Sequence, residues 1–381
     1  MVKIGEREGS RQAVYWGLGG AALCVLAAAV AWAVGSRREI GWFVAAFFGF
    51  LAIGARAFPI TRGYSFTACI FAAVSFAMFY PEWITDIRGF DTQRLIVPLL
   101  QVIMFGMGTG LSLDDFTRVF RMPTAVLVGI TAQYSIMPLV GATLAAISPF
   151  PPEIAAGVVL IGSVPGGLAS NVITYLARGN VALSVTLTAV GTLLAPVMTP
   201  FLMRSLAGQY IVVDFFTMML SIIRMTILPI VMGLVVNRLI RGRAEWLHNV
   251  LPLVSMAGIV VVIAVITAAG RDDLLSIGAL LIIAAIMHNV AGYLLGYWVC
   301  RALRMDEMTC RTVAIEVGMQ NGGLASGIAA ELGRAATLGL APAVFGPWMN
   351  ISGSILANWW RGRPIPQPST RDAELVRHGT I

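Results

Sequence analysis

Apolar residues follow one another along this chain in runs of about twenty, and polar and charged positions gather in short intervals between them. A helix needs about 20 apolar residues to cross the hydrocarbon layer of a bilayer, so each run reads as one membrane-spanning helix. The pattern predicts twelve spans, at about 12–34, 41–58, 64–81, 95–113, 123–147, 152–177, 181–203, 211–237, 250–270, 275–300, 309–332 and 335–360. The expected fold class is an all-α polytopic membrane protein.

Sliding residues 162–178 by 156 positions onto 318–334 superposes Gly162, Gly166, Gly167, Leu168, Ala169, Ser170, Leu176 and Arg178 on identical residues. The heart of the repeat is Pro165-Gly-Gly-Leu-Ala-Ser against Asn321-Gly-Gly-Leu-Ala-Ser, in the sixth and eleventh spans. The copies lie five helices apart, and an odd offset makes them antiparallel. An inverted repeat with glycine-rich interruptions in matching helices is the pattern of secondary transporters whose site lies where two broken helices meet. Close helix packing by small residues is the plainer reading, but it leaves the polar residues beside both glycine pairs unexplained.

Glu316 is the one carboxylate deep in the last ten spans, close to Gln320 and Asn321. A carboxylate at that depth costs several kcal/mol without a partner, and no basic residue of its span lies near it; the expected partner is a cation or a proton. Ser170, Asn171, Ser184 and Thr188 supply oxygens suited to a hard cation, and Ser184 and Thr188 share one helix face. Each hydroxyl taken alone could bond back to its own helix, but their clustering beside the break favours a site. Gln133, near Pro138, reads either as a further oxygen donor or as an interhelical hydrogen bonder. Asn350 is assigned to function, and His288 with Asn289 to structure. Arg224 is read as snorkelling from the true start of the eighth helix, with residues 211–223 along the interface.

Composition agrees: 58% of residues are hydrophobic and 12% charged, against about 45–50% and about 25% in soluble domains. The net charge of +7 reflects arginines in the connecting segments, so no nucleic-acid partner is inferred. Over the last ten spans thirteen arginines, among them Arg118, Arg301, Arg311 and Arg363, fall on one side and five on the other. The positive-inside rule puts the larger group and the C-terminus in the cytoplasm. Cys24, Cys69, Cys300 and Cys310 read as packing residues, with no zinc or redox spacing. P-loop, HExxH and GxSxG motifs are absent, and an enzyme is not expected. The proline-rich segment after Arg363 is expected to be disordered.

Met104-Phe-Gly-Met-Gly, Pro165-Gly-Gly-Leu-Ala-Ser-Asn-Val, Thr188 with Ala195-Pro196, and Ile315-Glu-Val-Gly-Met-Gln-Asn321 resemble the bile acid:sodium symporter family from about Tyr64 to Trp360. The resemblance implies a ten-helix core of two inverted five-helix repeats with crossed, broken helices, here 64–362; the extension at 1–63 departs from that pattern with two extra helices, and a tail at 363–381 follows the core. It also implies two sodium sites. The first is formed by Ser170, Asn171, Ser184, Thr188 and Glu316, the second by Gln133, Glu316, Val317, Met319 and Gln320, with Asn321 and Asn350 facing the substrate. The implied function is sodium-coupled symport of an organic anion, bile acid-like or a small carboxylate such as pantoate or pyruvate, by alternating access in a bacterial cytoplasmic membrane. Sodium is then the co-transported ion, and no cofactor is expected. A proton-coupled or efflux carrier of related fold is the competing expectation.

Overall fold

The computed structural model describes residues 2–57, 64–240 and 245–364. The segment expected to be disordered lies almost wholly outside these residues, as does His378. Where water is absent a backbone must satisfy its own amides, and helices do so within one segment. Each of the twelve expected spans is accordingly a helix, or a pair of half-helices in line with the sequence. Seven helices among the described residues are long and apolar enough to cross a membrane.

The N-terminal extension is a hairpin of α1 (Val2–Ala33) and α2 (Arg37–Ala55), turned at Gly35 with φ +81°. Gly17 and Gly54 let the two backbones touch, since a β-carbon on Gly17 would land on the Gly54 backbone. α2 packs on α3 (Tyr64–Phe79). Trp42 sets its ring 5.1 Å from both Phe76 and Tyr80 and 5.7 Å from Trp83, and Arg38 pairs with Glu82. Trp83 and Glu82 belong to the short α4 (Glu82–Thr85), which leads through a two-strand turn, β1 (Asp86–Ile87) and β2 (Phe90–Asp91), to α5 (Ile96–Gly110). A capping box of Ser112 and Asp115 then opens α6 (Leu113–Thr117).

The remaining helices form two groups. In the first, α3 and α5 pack with α12 (Leu228–Ile240) and α13 (Glu245–Ala269). Gly108 and Gly233 let α5 and α12 meet backbone to backbone. The second holds α7 (Pro123–Ile147), α8 (Pro152–Ser163), α9 (Ala169–Leu176), α10 (Val181–Leu202), α14 (Arg271–Ala302), α15 (Glu307–Gly318), α16 (Gly322–Glu331) and α17 (Leu340–Arg361). The two copies of the repeat are the breaks between α8 and α9 and between α15 and α16, as the glycine-rich motifs predict.

Three expectations are corrected. Arg224 does not begin a helix: α11 (Phe215–Ile222) already starts at Asp214, whose carboxylate caps it by accepting from the Thr217 amide at 2.6 Å. Arg224 falls in the π turn Ile223–Ile227 that joins α11 to α12, with its side chain exposed. Cys69 is exposed, whereas Cys24, Cys300 and Cys310 are buried. Arg311, counted with the loop arginines, is only 2% exposed. Its Nε donates to Glu307 at 2.8 Å and its Nη1 to the carbonyls of Ala177 and Trp360, both at 3.2 Å. It thus fastens α15 to the C-terminal ends of α9 and α17, where helix dipoles favour a cation. At the far ends of the broken helices, Arg334 pairs with Glu153 at 2.5 Å and Thr337 donates to the same carboxylate.

Removing one partner of a buried ion pair leaves the other uncompensated. Arg311→Met is expected to lower stability by about 3–5 kcal/mol in detergent unfolding, and adding Glu307→Gln should restore part of the loss. An Arg311→Met protein as stable as the wild type would show that the clamp carries no weight.

Candidate functional site

Glu316 lies in the last turn of α15 and is 4% exposed. The helix breaks two residues later. Gly318 is required there because the ring of Tyr293, from α14, occupies the place of a β-carbon. The Gly318 carbonyl accepts instead from Asn289 Nδ2 at 2.7 Å, and Met319 is extended.

The opposite break, after Ser163, meets this one. Gly166 and Gln320 form an antiparallel bridge. The Gly167 amide donates to the Met319 carbonyl at 3.1 Å, and the Asn321 amide to the Pro165 carbonyl at 2.8 Å. Each unwound segment thereby satisfies backbone groups that the other has lost. Asn321 also caps α16, its Oδ1 accepting from the Leu324 amide at 3.0 Å. Gly166 must lack a side chain, since a β-carbon would stand 2.6 Å from Glu316 Oε2.

Three hydroxyls from α9 and α10 converge on the carboxylate. Ser170 donates to Oε1 at 2.5 Å, Ser184 donates to the same oxygen, and Thr188 lies 3.1 Å from Oε2. Ser184 also lies 2.8 Å from Asn171 Oδ1. No ion pair involves Glu316 among the described residues. Arg311 shares its helix but is held by Glu307 and two carbonyls. The five residues Ser170, Asn171, Ser184, Thr188 and Glu316 therefore stand in one cluster.

A second cluster adjoins it. Gln133, on α7, donates through Nε2 to Gln320 Oε1 at 2.5 Å and to the Val164 carbonyl at 3.0 Å. Gln320 Nε2 donates to the Val317 carbonyl at 2.6 Å. Gln133 Oε1 is buried without a hydrogen-bond partner, an orphan oxygen where such groups are normally satisfied. Gln133, Glu316, Val317, Met319 and Gln320 are thus neighbours at the crossover.

Asn321 and Asn350 line a cavity of about 140 Å³ between the two helix groups. Its far wall is aliphatic, with Ile70, Leu100, Ile103, Met104, Val262 and Ile263, and no lysine or arginine lines it. Asn350 also donates to the Gly346 carbonyl of its own helix at 3.1 Å.

Asn289 fills the structural role expected of it, and Ser352 braces it by donating to its Oδ1 at 2.5 Å. His288 is fully buried, with neither ring nitrogen hydrogen-bonded and its ring 5.3 Å from that of Phe345. Two participants escape a reading of the sequence: Met349, whose sulfur accepts from the Gln320 amide at 3.1 Å, and Tyr293. Neither carries a local signal, since a methionine or tyrosine in an apolar run reads as packing. No group of three or more histidine, cysteine or acidic residues able to hold a metal occurs among the described residues.

The model of the Sodium Bile acid symporter family matches residues 97–277. Among similar proteins, the uncharacterized sodium-dependent transporter YocS of Bacillus subtilis (strain 168) is 42% identical over 292 residues, 76% of this chain and 88% of that protein. The probable sodium/metabolite cotransporter BASS1, chloroplastic, of Arabidopsis thaliana is 36% identical over 262 residues, 69% of this chain and 65% of the relative. BASS5, a probable sodium/metabolite cotransporter of the same plant, is 31% identical over 316 residues, covering 80% and 76%. The family model and an identity of 42% over three quarters of the chain lead to one conclusion: this chain belongs to the Sodium Bile acid symporter family, whose members are sodium-dependent membrane transporters and not enzymes.

Proposed function

We propose that this protein couples two sodium ions to the uptake of a small organic anion by alternating access. The observation that carries this reading is a buried carboxylate, Glu316, ringed by three hydroxyls and without a basic partner among the described residues. Sodium, a hard cation, takes oxygen ligands. In the first site these are Ser170, Asn171, Ser184, Thr188 and Glu316. Their hydroxyl hydrogens then turn to other acceptors, for Ser170 the Gly167 carbonyl, which lies 2.7 Å from its Oγ. The second site joins Glu316 to the carbonyls of Val317 and Met319 and the amide oxygens of Gln133 and Gln320. The orphan Gln133 Oε1 supports its place in that set.

Charge explains the coupling. One cation neutralises Glu316, and a second leaves the crossover with an excess positive charge that favours an anion in the adjoining cavity. There the N-terminus of α16 and the amides of Asn321 and Asn350 receive a carboxylate without any basic side chain. The apolar wall with a few polar groups opposite it supports an organic anion as the occupant. Movement of the crossover group against α3, α5, α12 and α13 then opens the cavity to either side, with the C-terminal side in the cytoplasm on the arginine bias.

Purified protein should be stabilised by NaCl and not by KCl or choline chloride, by about 2.7 kcal/mol at a hundredfold excess over the dissociation constant. Glu316→Gln should abolish both that shift and sodium-dependent uptake while leaving expression intact. No cation selectivity, with uptake driven by a pH gradient in sodium-free medium, would instead make Glu316 a proton carrier.

Gly166→Ala places a methyl group against Glu316 Oε2. It should weaken sodium binding at least tenfold, about 1.4 kcal/mol, in a protein that still folds. A sodium titration unchanged by this substitution would argue against the carboxylate as a ligand.

A further inference from the structure

The last turns of α14 and α17 enclose a groove of about 430 Å³, away from the crossover. Tyr297 and Trp298 form one wall, Trp359 and Trp360 the other, and Tyr297 stacks on Trp360 at 6.0 Å. The floor is the Glu307–Arg311 pair. Trp298 and Trp359 are 63% and 50% exposed, large rings turned outward at helix ends, which is where the membrane–water boundary collects them.

Charge in the groove is one-sided. Glu307 is the single carboxylate lining it, and both its oxygens are engaged, one by Arg311 Nε at 2.8 Å and the other by the Tyr297 hydroxyl at 2.8 Å. Arg363 lies over the Trp359 ring, 3.8 Å from its centroid, and pairs with no carboxylate among the described residues. Arg301 is exposed on the α14 face that carries Leu294 and Trp298, seven and three residues before it, and is likewise unpaired among the described residues. Arg363 thus lines an aromatic, apolar groove without a counter-charge, and Arg301 lies about one helical turn beyond Trp298 on the α14 wall. Basic pockets between helices at this depth take anionic headgroups, and planar guanidinium binds phosphate bidentately.

We propose that the groove between the C-terminal turns of α14 and α17 binds an anionic phospholipid, its phosphate drawn by Arg363 and Arg301 and an acyl chain lying along Leu294, Leu356 and the outer faces of Trp298 and Trp359. A free phosphate is disfavoured because the walls are apolar and the polar floor is already satisfied. A zwitterionic lipid brings its own cation to a site whose one carboxylate is taken.

The test uses the purified full chain in detergent, titrated with phosphatidylglycerol or with phosphatidylcholine of the same acyl chains. Phosphatidylglycerol should raise the unfolding midpoint by roughly 5 °C more at saturation. The difference should vanish in Arg301→Gln/Arg363→Gln and survive in Arg363→Lys and in Arg88→Gln, a control in the β1–β2 turn. Phosphatidylglycerol with brominated chains should quench tryptophan fluorescence more in the wild type than in Trp359→Phe, a readout that does not depend on stability. Equal shifts from both lipids, a preference that persists in the double variant, or a shift reproduced by inorganic phosphate would each overturn the proposal. So would an anionic preference that appears only once residues 365–381 are removed, which would give the groove to that segment.

Discussion

Everything in this structure turns on two unwound segments that repair each other. Breaking a helix inside a membrane exposes amides and carbonyls where no water can reach them, at several kcal/mol for each group left unpaired. Here the break after Ser163 and the break after Gly318 cross, and an antiparallel bridge at Gly166 and Gln320 returns the missing partners. One buried oxygen beside the crossover, Gln133 Oε1, keeps no hydrogen-bond partner. The bridge both makes the breaks tolerable and sets the Glu316 carboxylate of α15 among hydroxyls from α9 and α10.

The glycines follow from this constraint. Gly166 yields the space that the Glu316 carboxylate fills, and Gly318 yields the space that the Tyr293 ring fills. Asn289 then replaces the helical partner of the Gly318 carbonyl, and Ser352 orients Asn289. A chain of hydrogen bonds from α17 through α14 thus sets where α15 ends and so where Glu316 stands. The buried Arg311 secures the other end of the same half-helix.

The division into two helix groups leaves a cavity between them. α3, α5, α12 and α13 present an aliphatic wall, while the crossover group presents a helix N-terminus and two asparagines, and the cavity lies where they face each other. The N-terminal hairpin joins this plan through α2 on α3, an aromatic contact on the outer side of the first group. It leaves the crossover untouched.

Much of this was legible in the sequence because its cause is local. Twelve apolar runs mark helical stretches, seven of them long and apolar enough to cross a membrane among the described residues, since hydrocarbon accepts only segments that pair their own backbone. The repeat at Gly162–Arg178 and Gly318–Arg334 locates both breaks, and an acidic residue in an apolar run stands out by its cost. Other features depend on distant partners and left no local trace. Arg311 resembled a loop arginine until Glu307, Ala177 and Trp360 surrounded it, and Arg224 resembled a helix start until Asp214 proved to be the cap. Tyr293 and Met349 looked like packing because their roles exist only across helices. The sequence by itself therefore determined the spans, the breaks and the candidate ligands, whose signals are composition and spacing along one segment. Only the tertiary structure decided which of them meet, because the hydrogen bonds that join them span up to 187 residues of chain and are set by packing between helices.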